Sequence, residues 1–261
     1  MKSENIIKQL QTKLRLYRMG YSSDQQGILN RYLREKSSWD DHLNHSRQFI
    51  LKSLENKEKG KVVVLGSGWL LDLPIHELAT QFKQVVLVDI KHPAQILKKI
   101  SKYSNIITQN EDITGGMIDF FYYNRKNLKQ NKPIIIPENI HFSVSKDADF
   151  VISLNILCQL HIILIDYIKS LSGKTAIDFS ALEKQIQHSH ISMLPKGKSC
   201  LITDIEEEIL NPDNELIGIN PLIRVDLPEG NFSQHWQWKF DTQMTYREDA
   251  KTYFNTKAID F

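Results

Sequence analysis

The stretch "KVVVLGSGWLLDLPIHELATQFKQVVLVDI", residues 61–90, decides how this chain is read. Val62–Leu65 is a short, unbroken apolar run of the kind buried on both faces of a parallel sheet. It enters Gly66-Ser67-Gly68, where glycine permits positive φ and lets a ligand approach the backbone. A helix is expected from Leu71 to Phe82, then a second buried strand, Val85–Val88, that ends in Asp89. Asp89 follows Gly68 by 21 residues, which sets a carboxylate where two ribose hydroxyls can donate to it. The unit is half of a nucleotide-binding fold, whose ligand lies beyond the carboxyl ends of the strands.

The alternation continues downstream. A helix is expected over 93–103, opened by Pro93, then a weak strand at Ile106 and Ile107. Phe150–Leu154 is a strong fourth strand, followed by a helix from Cys158 to Leu171. Phe179, Leu182, Ile186 and Met193 recur at helical spacing, and Ser199–Ile205 is a fifth strand. His235–Phe240 and Lys251–Lys257 suit a closing hairpin. Residues 113–147, broken by Pro133 and Pro137, read as one helix followed by irregular chain. Upstream, Ile6, Ile7, Leu10, Leu14 and Tyr17, then Ile28, Leu29, Tyr32 and Leu33, mark two helices separated at Gly20–Asp24. A third is expected from Trp39 to Leu54, with Ser38 as N-cap and Asp40 and Asp41 in its first turn. The expected organisation is a helical cap over 1–59 and an α/β domain over 60–261, its sheet mostly parallel with a C-terminal antiparallel hairpin.

Bulk properties narrow the partners. The composition, 41% hydrophobic and 25% charged with mean hydropathy −0.35, is ordinary for a soluble globular protein. A net charge of +2 makes no electrostatic case for nucleic acid or an anionic membrane. No apolar run approaches the ~20 residues of a membrane helix, and residues 1–20 lack a signal core. Cys158 and Cys200 lie far apart and suit a reducing compartment. His42 with His45, and His188 with His190, lack a third ligand at metal spacing, so no metal is expected. The expectation is a soluble, cytoplasmic protein, with its oligomeric state open.

The glycine turn, its acid and the later strands together resemble class I S-adenosylmethionine-dependent methyltransferases, a Rossmann-like, doubly wound family. Gly66, Gly68 and Asp89 match its first two motifs. "NEDIT" offers Asp112 for the third, and "DFVISLNIL", residues 149–157, has the form of the fourth. The resemblance covers roughly 61–205 and extends to the terminal hairpin. It implies S-adenosylmethionine as cofactor, with Gly66, Ser67 and Gly68 making room for it. It also implies that Asp89 and Ile90 lie at the ribose, that Asp112 and Ile113 lie at the adenine, and that Asn155 lines the reaction site. Two positions depart from the family pattern: Val64 stands where an acid is usual, and Leu70 where a third glycine is.

The implied activity is methyl transfer to oxygen or nitrogen of a small molecule. Two alternatives stand beside it. One is a methyltransferase-like binding protein without catalysis, suggested by Val64 and Leu70. The other is an NAD(P)-dependent oxidoreductase, against which bulky Trp69, Leu70 and Leu71 count, since the dinucleotide fingerprint needs a glycine at position 71. The loop Ser153-Leu154-Asn155-Ile156-Leu157 lacks the prolines and aromatic of base-methylating enzymes, which speaks against nucleic acid.

Several residues admit a structural and a functional reading. Asn155 either caps the next helix or lines the site, and His161 is either a helix-surface residue or a base. Asp204 either points into the crevice or opens a solvated acidic run with Glu206–Glu208. Trp236, Trp238 and Phe240 share one strand face, and Trp39, His42 and Ser46 one helix face beside Arg47. Each face either packs in the core or covers a substrate. Cys158 is expected as a small buried hydrophobe.

Overall fold

The computed structural model describes residues 2–138, 140, 142–143, 147–171 and 176–261, with side chains from residue 10 onward. Three helices lead: α1 (Lys2–Arg18), α2 (Tyr21–Arg34) and α3 (Lys36–Ser53). The alternating part follows as β1 (Lys61–Leu65), α4 (Ile75–Gln81), β2 (Gln84–Asp89), α5 (Ala94–Ile100) and β3 (Ile106–Asn110). Next come α6 (Met117–Tyr123), α7 (Arg125–Lys129), β4 (Phe150–Leu154), α8 (Ile162–Leu171) and α9 (Phe179–Met193). Four strands close the chain: β5 (Ser199–Leu210), β6 (Leu216–Pro221), β7 (Phe232–Asp241) and β8 (Lys251–Asp260).

These strands form one sheet in the order β3-β2-β1-β4-β5-β8-β7. The first five are parallel, whereas β8 and β7 run antiparallel. The order reverses between β1 and β4, so their carboxyl ends diverge into a crevice. β6 pairs with the far half of β5, beyond the reach of β4. This is the Rossmann-like, mostly parallel α/β fold with a terminal antiparallel hairpin.

Side chains of the buried strands feed two cores in alternation. Val63 and Leu65 pack with Phe121, Leu164 and Ile186 on one face, and Val62 and Val64 with Phe49, Leu78 and Ile96 on the other. Each such burial contributes about 1.5–3 kcal/mol. The leading helices straddle the sheet: Leu16 and Met19, at the end of α1, join the first core, and Phe49 and Ile50 of α3 join the second. Between them α2 crosses the carboxyl edge. A third cluster joins Trp39 and Leu43 of α3 to Trp238 and Phe240 of β7.

Several boundaries differ from the sequence expectation, each for a local reason. Residues 71–74 continue the turns of 68–70 instead of forming helix, and α4 starts only after Pro74. α3 begins at Lys36, so Ser38 lies inside it; Glu35 precedes it, anchored by Thr242 Oγ1 (2.7 Å) and the Gln243 amide (3.0 Å). Residues 157–161 are turn, which delays α8 to Ile162. The acidic run lies within β5, where buried Glu207 receives a bidentate contact from Arg247 at 2.7 Å. β6 has no counterpart in the sequence reading, and residues 113–147 hold two short helices, not one. The side chains of Ile6 and Ile7, and residues 139, 141 and 144–146 of the expected irregular stretch, lie outside the described residues. Among the described residues no helix is long and apolar enough to cross a membrane.

Candidate functional site

A cavity of about 210 Å³ opens at the carboxyl ends of β1, β2 and β4, roofed by α2 and α3. Gly66, Ser67, Gly68, Asp89, Ile90, Asp112, Ile113 and Asn155 all line it. They do so in different ways.

Gly66 has φ +80°, and a Cβ there would lie 2.8 Å from the Leu154 carbonyl and 2.9 Å from Ile156 Cβ. The glycine therefore admits the neighbouring β4 backbone. Gly68, at φ +46°, faces open space: the nearest atom to a Cβ would be the Gly66 carbonyl at 3.9 Å. Its amide donates to Asp89 Oδ2 at 2.7 Å, and the Gly66 and Ser67 amides donate to the Val88 carbonyl at 3.0 and 3.3 Å. Buried Ser67 joins its Oγ to His92 Nε2 (3.2 Å), whose Nδ1 meets Asn110 Oδ1 (2.8 Å). The ends of three strands are thus tied together around the turn.

Burial pushes the Asp89 carboxyl above its ordinary value, while the Gly68 amide and His92 pull it back. Asp112 is raised for the same reason. Its carboxylate is committed to its own loop, accepting from the Thr114 amide (2.9 Å) and hydroxyl and from the Ile118 amide (3.2 Å) at the start of α6. α2 is fastened over this end. Gln25 Nε2 donates to the Lys91 carbonyl (2.8 Å), Trp69 Nε1 to the Gln25 carbonyl (2.6 Å), and Lys91 Nζ to Ser22 Oγ (3.1 Å).

The opposite end is built from residues remote in sequence. Asn155, in the left-handed region at φ +48°, brings its side-chain amide within 2.7 Å of Asp72 Oδ2 and 3.2 Å of His42 Nε2. The Trp236 indole N–H donates to His42 Nδ1 at 3.1 Å, and the His42 ring stacks on Trp238 with centroids 4.0 Å apart. Burial lowers His42 to about 3, so it is neutral at ordinary pH. Asp72 lines the cavity and its carboxyl is raised by burial; sequence reasoning missed it. Its only signal was an acid set between two leucines just ahead of a proline.

The two departures from the motif now have physical accounts. Val64 is fully buried in the second core, so no carboxylate enters from β1. Leu70 itself takes the left-handed conformation, φ +54°, with its side chain buried. Such a conformation costs about 1–2 kcal/mol for a residue with a Cβ, offset here by the burial.

The other candidates separate cleanly. His161 does not line the cavity; it is partly buried against Glu183 at 3.4 Å, neither a helix-surface residue nor a base in the site. Asp204 is buried outside the lining, accepts from Thr256 Oγ1 at 2.7 Å and is pushed up to about 7 by burial. Cys158 is buried. Trp39 and Trp238 pack edge to face at 4.8 Å, and both line the cavity.

The electrostatics of the lining are one-sided. Asp24, Asp72, Asp89, Glu111 and Asp112 contribute carboxylates, and among the described residues the lining holds no lysine or arginine.

No protein-family model matches the chain, and no curated protein matches it. Solved structures similar to it include the N-methyltransferase NodS from Bradyrhizobium japonicum WM9 in complex with S-adenosyl-L-homocysteine. That likeness has 11% identity over 82% of this chain and 85% of that one, with a TM-score of 0.38. A DhpI-SAM-HEP complex is similar at 10% identity over 95% and 96% of the two chains, with a TM-score of 0.38. Likenesses this slight carry no weight of their own, and the Rossmann-like assignment rests on the strand order above.

Proposed function

We propose that this chain binds S-adenosylmethionine in the switch-point cavity and transfers its methyl group to oxygen or nitrogen of a small molecule. The observation that carries this reading is the charge of the lining, with five carboxylates and no cationic side chain among the described residues. Such a field favours a sulfonium with an ammonium group and repels a pyrophosphate. The same charge, with α4 beginning only at Ile75 so that no helix start faces the turn, disfavours NAD.

Asp89 offers carboxylate oxygens to a ribose diol, one of them shared with the Gly68 amide. Asp112 with the apolar Ile90 and Ile113 in the same lining suits an adenine, and Gly68 leaves room beside the turn. The bound cofactor would supply a methyl group already activated on sulfur. The protein's own work is then to orient the acceptor and exclude water, in a geometry worth several kcal/mol. The α2 clasp over Lys91 and Trp69 serves exclusion, and Asn155 lines the acceptor end. The two free, buried cysteines suit a cytoplasmic setting.

Calorimetric titration of the protein with S-adenosylmethionine, S-adenosylhomocysteine and NAD tests the reading. Binding of the sulfur cofactors and not of NAD is expected, and failure of both sulfur cofactors to bind would overturn it.

A further inference from the structure

Hydrogen-bond parity at the Asp72 end points to a proton-handling group. An indole N–H only donates, so Trp236 fixes His42 Nδ1 as an acceptor. The neutral ring then carries its proton on Nε2, which lies 3.2 Å from a terminal atom of the Asn155 amide. Asp72 Oδ2 lies 2.7 Å from that same atom. If the atom is the NH2 group, it serves a charged Asp72 but meets the His42 N–H donor to donor, and Asn155 Oδ1 is buried without a partner. If the amide is turned over, its oxygen accepts from both His42 and Asp72, which must then be a carboxylic acid, and the NH2 group takes the buried place that has no partner. The nitrogen and oxygen of a side-chain amide exchange places by that rotation. Asn155 thus accommodates Asp72 in either protonation state, as a proton acceptor requires.

We propose, resting on the cofactor reading above, that the methyl acceptor is an aliphatic amine entering as its ammonium ion, and that Asp72 takes its proton. One N–H bond breaks, its electron pair stays on nitrogen, and an O–H bond forms on Asp72. One positive and one negative charge become two neutral groups, and the freed lone pair is what methyl transfer needs. Asn155 and His42 are positioning residues in this step.

Chemistry selects the amine. The acidic lining draws a cation, and burial moves the two partners toward each other: it raises the Asp72 carboxyl and lowers a desolvated ammonium from its ordinary ~10.4. An aliphatic hydroxyl, near the ~16 of water, is out of its reach. His42 is not the acceptor, because burial holds it at about 3. The charged groups acting on Asp72 are Arg47 of α3, which lowers it, and Asp204 of β5, with which it is mutually repelled.

The test compares wild type with Asp72→Asn, using benzylamine and aniline as probes. Methyl transfer is followed with labelled S-adenosylmethionine, and amine binding to the S-adenosylhomocysteine complex is followed by calorimetry. Two units below the amine's own value only about 1% of benzylamine is neutral, whereas aniline is neutral throughout. Asp72→Asn is expected to lose roughly 100-fold in benzylamine methylation and tenfold or more in benzylamine affinity, with aniline changed less than about threefold. Asn155→Ala, the second variant, should show the same selectivity at about tenfold. Unchanged S-adenosylhomocysteine affinity in both variants verifies the folded site. Equal losses for both amines, full activity of Asp72→Asn on benzylamine, or no transfer to either amine by a wild type that binds S-adenosylhomocysteine would each overturn the proposal. Failure of wild type to bind S-adenosylhomocysteine would instead overturn the cofactor reading beneath it.

Discussion

The two ends of the cavity reach their geometry by opposite routes. At the glycine end the contacts around the turn join neighbouring strand ends, Gly68 to Asp89, Ser67 to His92 and His92 to Asn110, between 18 and 25 residues apart, and α2 is fastened over them from farther away. At the Asp72 end they join α3, the loop after β1, β4 and β7, across 83, 113 and 194 residues. The strand ends of the first are brought together once the parallel sheet forms. The second exists only when the last antiparallel strands have closed on the first helices. In the proposed function the cofactor lies at the end made by the sheet and the acceptor at the end made by long-range closure, so the two can vary independently.

Substitutions can break this comparison, and the largest effect is expected at the far end. Trp39→Ala removes a buried ring whose Nε1 donates to the Phe240 carbonyl at 2.9 Å, and should cost about 3–5 kcal/mol in chemical denaturation. Gly66→Ala comes next, at roughly 2–4 kcal/mol, because the new Cβ strikes the Leu154 carbonyl and the backbone stays left-handed. Gly68→Ala, with open space around it, should cost only about 1–2 kcal/mol. Equal losses at the two glycines would mean that Gly66 does not admit β4 as described.

Ligand affinity gives a sharper contrast. Asp89→Ala should weaken S-adenosylhomocysteine roughly 10- to 100-fold, since a charged hydrogen-bond acceptor is worth ~1.5–3 kcal/mol. His42→Gln, at the other end, should change it less than about threefold. The reverse ranking would exchange the roles of the two ends.

A further contrast lies in pH dependence. His190, buried against Ser153 Oγ at 2.7 Å, is lowered from 6.5 to about 4. Its unfolded form takes up a proton first, so the stability it contributes is present above 6.5 and is lost as pH falls toward 4. Asp204, raised from 3.8 to about 7, acts in the opposite sense, and its contribution is lost as pH rises through about 7. His190→Gln should therefore lose less stability than wild type between pH 6.5 and 4. An unchanged slope would contradict the assignment of a buried neutral ring.

The same contrast explains what was legible in the sequence. Val62–Leu65, Val85–Val88 and Phe150–Leu154 announce themselves because a strand buried on both faces leaves an unbroken apolar run. The glycine turn and Asp89 follow from strand order and spacing alone. Asp72 was hidden because the chain is expected to be helical from Leu71, where it forms turns up to 74, and a helix places Asp72 in an ordinary amphipathic pattern. His42, Trp236 and Asn155 could each be named, but no local pattern links residues that meet only through tertiary closure. β6 was invisible for a related reason: its residues are mostly exposed, so burial imposes no alternation on them.

The crystal structure of the complex with S-adenosylhomocysteine tests the central claim most directly. The account predicts ribose hydroxyls within hydrogen-bond distance of Asp89, adenine between Ile90 and Ile113, and sulfur facing the Asp72–Asn155 end. Ligand density outside the switch-point cavity, or adenine at the Asp72 end, would contradict it.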